Sequence, residues 1–221
     1  MTRVKICCIS TPAEARAAVD AGAAALGFVS AMPSGPGVIG EAEIAQIVAR
    51  VPPGIASFLL TSAVDAATIL VQQRLCRATT LQFVDAVDPD TYAVLREAFP
   101  GVAIVQVVHV TGPESIDKAI GIARHADAIL LDSGNPDLET KELGGTGRTH
   151  DWATSRGIRD AIDRPLYLAG GLCADNVGEA IRAVRPFGVD VCSGVRSRGH
   201  LDRAKLTSFL AAVARADAGT S

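Results

Sequence analysis

The chain has 221 residues, enough for one sizeable domain with a full hydrophobic core. Hydrophobic residues make up 48% of it and charged residues 20%, a balance that argues against disorder. A net charge of -3 and only 4% aromatics exclude a basic, base-stacking surface, so no nucleic-acid partner is expected.

In chain order, short apolar runs alternate with segments of helical period. Strand-like runs fall at 3–7, 25–30, 55–60, 79–84, 103–109, 127–131, 165–169 and 188–193. Helical segments fall at 12–21, 41–50, 64–75, 89–98, 113–124, 151–162, 174–184 and 202–216. Thr11-Pro12-Ala13-Glu14 and Gly112-Pro113-Glu114 each place Pro in a first turn with an acid behind it. Eight βα units at a spacing of roughly 25–30 residues predict an α/β fold, closed most economically as a single (β/α)8 TIM barrel spanning 1–221. A doubly wound open sheet is the alternative.

Residues 21–40 carry no charge, but five glycines and two prolines interrupt them, so two core segments and a loop are expected and no membrane partner. No basic stretch followed by an apolar run opens the chain, so no secretory signal is expected. The five cysteines (7, 8, 76, 173 and 192) show no CxxC or zinc-type spacing. Free thiols in a reduced, cytoplasmic protein, with no metal, are the expectation. Residues 134–150, rich in Gly, Thr and charge, form the longest irregular stretch, of the kind that often serves as a lid or binding loop.

In a parallel α/β protein the C-terminal edge of the strands is where chemistry is done. Cys7 closes the first run, directly before a turn and helix start. Lys5 projects to the same face one layer below, where its ammonium would favour the thiolate, and Cys8 would face the helices. Asp132 closes the sixth run, where lost solvation favours the protonated carboxyl and fits a general acid. Gly170 and Gly171 end the seventh run, and Ser193 and Gly194 end the eighth. Those are the places where a phosphate cradle of backbone N–H groups recurs in such barrels. Gly145, Thr146 and Gly147 could close over the same ligand from the sixth loop, and Arg196 could add a cation near the anion. His109 and His150 read as structural or solvent-facing.

With these residues in place the sequence resembles the phosphoribosylanthranilate isomerase family over nearly its whole length. Val4-Lys5-Ile6-Cys7 is similar to the family's Lys-Ile-Cys-Gly motif, and Leu131-Asp132-Ser133 to the segment carrying its general acid. Gly144-Gly145-Thr146-Gly147 with Asp151-Trp152 resembles its Gly-Gly-Thr-Gly…Asp-Trp signature. Asp20-Ala21-Gly22-Ala23 through Gly27-Phe28-Val29, Leu168–Leu172 with Asn176-Val177, and Val189-Asp190-Val191 with Ser193-Gly194-Val195 complete the resemblance. It implies an Amadori rearrangement of a phosphorylated sugar amine, with Cys7 as base, Asp132 as acid and no cofactor. A phosphate-binding barrel with other or lost chemistry (an accessory protein, or an aldolase or epimerase) is the alternative.

The chain also departs from the pattern. Cys8 stands where the family has Gly, and Arg196 where it has Glu. Val84 stands for the His of Gln-Leu-His-Gly, and Ser34-Gly35-Pro36-Gly37 lacks the Arg of Ser-Pro-Arg, which in the family binds the anthranilate carboxylate. Losing a charge-assisted bond costs roughly 1.5–3 kcal/mol, about tenfold or more in binding, unless Arg196 or Arg198 replaces the cation.

Overall fold

The computed structural model describes residues 1–33, 35–134 and 149–219. Eight parallel strands close into a barrel in sequence order: β1 (Arg3–Ile6), β2 (Ala25–Val29), β3 (Ala56–Thr61), β4 (Thr80–Phe83), β5 (Ala103–His109), β6 (Ala128–Asp132), β7 (Leu166–Leu168) and β8 (Gly188–Val191). Each of the eight falls on a strand-like run of the sequence. Pairing of β1 with both β2 and β8 removes the open-sheet alternative.

The strands are buried on both faces, which is why they read as unbroken apolar runs rather than as alternation. Outward residues such as Ile6, Leu26, Leu59 and Val189 pack under the helices, while Ala25, Phe58, Leu60, Val107 and Leu130 fill the barrel interior. Each large apolar side chain fully buried there contributes about 1.5–3 kcal/mol.

The covering helices are α1 (Pro12–Asp20), α2 (Glu41–Val48), α3 (Ala66–Cys76), α4 (Pro89–Ala98), α5 (Ser115–Ala123), α6 (Trp152–Ala161), α7 (Val177–Val184) and α8 (Arg203–Ala218). Their starts are chemically marked. Thr11 Oγ1 accepts from Glu14 N at 3.1 Å, and Asp65, Asp151 and Asp202 cap α3, α6 and α8. The second Pro signal does not open its helix: α5 begins at Ser115, after a turn through Pro113 and Glu114. Among the described residues no helix is long and apolar enough to cross a membrane.

Two expectations fail at the barrel's closing seam. The eighth run does not continue to 193: Cys192 leaves the strand at φ -119°, ψ -80°, and Ser193–Val195 form a 3-10 turn. A short hairpin of β9 (Arg196–Ser197) and β10 (His200–Leu201) follows, which the sequence pattern does not announce. Nor are all five thiols free. Cys8 and Cys192 are joined as a disulfide, with Cα atoms 5.9 Å apart, leaving Cys7, Cys76 and Cys173 free. The 184 residues between the pair hide the contact in sequence, and closure of β1 on β8 creates it.

Candidate active site

β1 ends at Ile6, and the following residues form the floor of the C-terminal mouth. Cys7 still follows the strand alternation, its N–H donating to Val191 O at 2.9 Å. Its side chain joins the interior cluster. Lys5 lies one layer beneath, fully buried, with Nζ 3.5 Å from Cys7 Sγ. The same ammonium donates to Asp190 Oδ2 at 2.8 Å, and Lys5 and Asp190 are register partners across β1 and β8. Gly27 on β2 leaves the space these groups occupy. A Cβ added there would stand 2.8 Å from Cys7 Sγ and 3.1 Å from Lys5 Nζ.

Cys8 does not face the helices as strand alternation predicts. Its φ of +62° turns it out of the strand and into the interior cluster beside Cys7. Gly37 packs against it so closely that an added Cβ would lie 2.5 Å from Cys8 Cβ.

The electrostatics qualify the role of Lys5. Burial would strip the lysine's proton, but Asp190 and Cys7 outweigh it, so its pKa ends raised and it stays charged. Burial pushes the Cys7 thiol up to about 11, and Lys5 offsets only part of that. The ammonium does favour the thiolate, but lost solvation is the larger effect, so the thiol form predominates.

Asp132 ends β6, half-buried, with Oδ1 accepting from Ser133 N at 2.7 Å. Lost solvation lifts its carboxyl to about 6, with the charge of Asp190 adding to the rise and Lys5 opposing it. Cys7 follows the end of β1 and Asp132 ends β6, and the charges of Lys5 and Asp190, one layer below Cys7, act on both. Asp190 is the member that residue-type reasoning missed. Its signal was a charge inside an apolar strand run, at the register position opposite a buried lysine.

The glycine turns after the seventh and eighth strands lie against each other. Gly170 and Gly171 have φ of +81° and +60°, which glycine adopts without strain. Asn176 fixes this turn, accepting from Cys173 N at 2.8 Å and donating to Gly171 O at 3.0 Å. Gly194 sits directly on Leu172 O, where any Cβ would overlap the carbonyl. Ser193 is exposed at the start of the 3-10 turn. Gly145, Thr146 and Gly147 lie outside the described residues.

Arg196 does not serve as a free cation. Its guanidinium is buried, donating to Glu14 Oε1 and Oε2 at 3.0 and 3.1 Å, to Gly199 O at 2.9 Å, to Cys7 O at 3.3 Å and to Cys8 O. Despite its burial, Glu14 is held below the usual carboxylate range by this guanidinium. In place of the expected anion contact, the structure shows Arg196 as a clamp on the turn after β1, its charge paired with Glu14. Arg198 is exposed at the hairpin tip. His109 and His150 are not solvent-facing. His109 is buried, register partner of Asp132, with Nε2 3.1 Å from Val84 O. Burial lowers His150 to about 4, and its ring lies where a Cβ on Gly170 would come within 2.9 Å of Nδ1. Among the described residues no group of three or more His, Cys, Asp or Glu is placed to hold a metal ion.

Comparison with known proteins fits this arrangement. The family model described as N-(5'-phosphoribosyl)anthranilate (PRA) isomerase matches residues 4–212. The chain is 38% identical over 197 residues to N-(5'-phosphoribosyl)anthranilate isomerase of Methanocella arvoryzae, covering 89% of this chain and 90% of that one. It is 37% identical over 210 residues to N-(5'-phosphoribosyl)anthranilate isomerase 2 of Methanosarcina mazei, covering 94% and 92%. Among solved structures, phosphoribosyl anthranilate isomerase from Thermotoga maritima aligns with a TM-score of 0.81 at 29% identity, over 97% of this chain and 100% of that one. A phosphoribosyl anthranilate isomerase in complex with reduced 1-(o-carboxyphenylamino)-1-deoxyribulose 5-phosphate aligns at 0.78 and 27% identity, with the same coverage.

Proposed function

Since the chain belongs to the N-(5'-phosphoribosyl)anthranilate isomerase family, we propose that it isomerises N-(5'-phosphoribosyl)anthranilate to the aminoketose, a step of tryptophan biosynthesis. The observation that carries the reading is the meeting of Cys7 and Asp132 at one barrel mouth with the Lys5–Asp190 pair between their fields.

In this reading the Ser193–Gly194 and Gly170–Gly171 turns hold the phosphate with backbone N–H groups, and the ribose lies across the mouth. Asp132 protonates the furanose ring oxygen, and the ring opens to an iminium cation. A carboxyl near 6 suits that task, because an appreciable fraction is protonated around neutrality while it remains a competent donor. Cys7, as thiolate, then removes the proton from the sugar's second carbon, and the resulting enolamine tautomerises to the ketone. The resting distribution, thiol at Cys7 and carboxylate at Asp132, is the reverse of the starting one. The reactive form is therefore a minor species. The iminium cation formed beside Cys7 and the ammonium of Lys5 together favour the thiolate when it is needed.

The test is turnover of N-(5'-phosphoribosyl)anthranilate by the purified protein, with rescue of a strain lacking the tryptophan-pathway isomerase. Turnover with rescue is expected. Folded protein that binds phosphate but does neither would redirect the reading to another phosphoribosyl amine, as the absent Ser-Pro-Arg arginine would then imply.

A further inference from the structure

The Cys8–Cys192 pair lies between the groups of the proposed reaction without belonging to them. Cys8 directly follows the base at the end of β1, and Cys192 directly precedes Ser193 and Gly194 of the phosphate turn after β8. Both occupy turn conformations, Cys8 at φ +62° and Cys192 at φ -119°, ψ -80°, so each marks where its strand is forced into a loop. We infer that Cys8 and Cys192 form a reversible redox site whose disulfide ties the base-bearing turn to the phosphate turn and thereby tightens phosphate binding. The effect on turnover rests on the proposed function, but formation of the bond does not.

The geometry favours formation of the bond. Contacts independent of sulfur hold the two turns together: Cys7 N–H donates to Val191 O at 2.9 Å, and Arg196 grips the carbonyls of Cys7 and Cys8. With the Cα atoms 5.9 Å apart, the pair stands at the separation that disulfides use, so no backbone rearrangement is needed. Exposure sets the order of events. Cys192 is half-buried at the mouth and Cys8 is buried, so exchange with a small reagent begins at Cys192. Cys7 is spared, because Cys8 is the thiol seated against Cys192 while the Cys7 sulfur is engaged by Lys5 Nζ at 3.5 Å.

The oxidant is a low-molecular-weight disulfide. The Cys192 thiolate attacks one of its sulfurs, its S–S bond breaks and one thiolate leaves. The Cys8 thiolate then attacks the Cys192 sulfur of the mixed disulfide, and the second thiolate leaves. Two electrons pass from the protein thiols to the reagent, and the two thiol protons go to the departing thiolates. In a reducing compartment the pair stands as dithiol, and oxidation adds the tie.

The experiment equilibrates the full-length protein with glutathione disulfide or with a dithiol reductant, alkylates free thiols, and determines mass. The same two samples are then titrated with inorganic phosphate and assayed for turnover. Three alkylated cysteines after oxidation and five after reduction are expected, with a peptide joining Cys8 to Cys192. Phosphate affinity should weaken about three- to tenfold on reduction, and KM should rise by a similar factor with kcat held within twofold. Cys192→Ser should fix both values at the reduced level. Cys8→Gly should do the same, and glycine suits the left-handed backbone there if serine-type replacements fold poorly. Five alkylated cysteines after oxidation overturn the inference, as does a bond that forms without changing phosphate affinity. A protein that forms the bond and gains phosphate affinity but turns nothing over leaves the inference standing and removes the proposed activity instead.

Discussion

Lys5→Met is the perturbation that most directly separates stability from chemistry at the mouth. In the native barrel Lys5 is fully buried, and its Nζ serves both Asp190 Oδ2 at 2.8 Å and Cys7 Sγ at 3.5 Å. Asp190 Oδ1 has no hydrogen-bond partner, so the lysine is the main compensation for that buried carboxylate. Removing one partner of a buried ion pair costs about 3–5 kcal/mol. At about 2–4 °C per kcal/mol for a chain of this size, Tm should fall by roughly 6–20 °C. Adding Asp190→Leu should recover most of the Tm, because the orphaned charge is gone. It should not recover turnover, because Cys7 has lost its only cationic neighbour within 4 Å among the described contacts. Thermal unfolding, with turnover on the same samples, reads both effects. A single variant that unfolds within 2 °C of the parent and turns over within threefold of it would refute the reasoning.

Other outcomes follow from the same site. With Asp132 near 6 and Cys7 near 11, kcat/KM corrected for the free substrate's phosphate titration should rise to a plateau above about pH 6. Activity that stays level down to pH 4 would remove the perturbed carboxyl from the rate law. Gly27→Ala places a Cβ 2.8 Å from Cys7 Sγ and 3.2 Å from Cys7 Cα. Overpacking of that kind costs about 1–3 kcal/mol, and kcat should drop at least tenfold, read by unfolding and turnover together. Pro36→Arg should supply the cation missing from the loop after β2 and lower KM for phosphoribosylanthranilate about tenfold, while leaving phosphate affinity unchanged.

Most of the barrel was legible because a parallel sheet covered by helices writes itself as apolar runs, and these run from Arg3–Ile6 through Gly188–Val191. The placement of Lys5 below Cys7 followed from strand alternation alone. What escaped was set by closure. Lys5 and Asp190, Cys8 and Cys192, and Glu14 and Arg196 are each more than 180 residues apart in sequence, and meet only because β1 joins β8. Arg196 illustrates the difference. Its position after the phosphate turn suggested an anion ligand, whereas the half-buried Glu14 opposite it, invisible to any local pattern, claims its charge. Desolvation was the other unread quantity. The lysine beside Cys7 was visible, but the burial that outweighs it was not.

The account stands most directly on the pairing of a thiol from β1 with a carboxyl from β6. Cys7→Ser and Asp132→Asn, each purified and titrated with inorganic phosphate before assay, should lose at least a thousandfold in kcat while phosphate affinity and Tm stay near those of the parent. Substantial turnover in either variant, with the protein folded and phosphate bound, would contradict it.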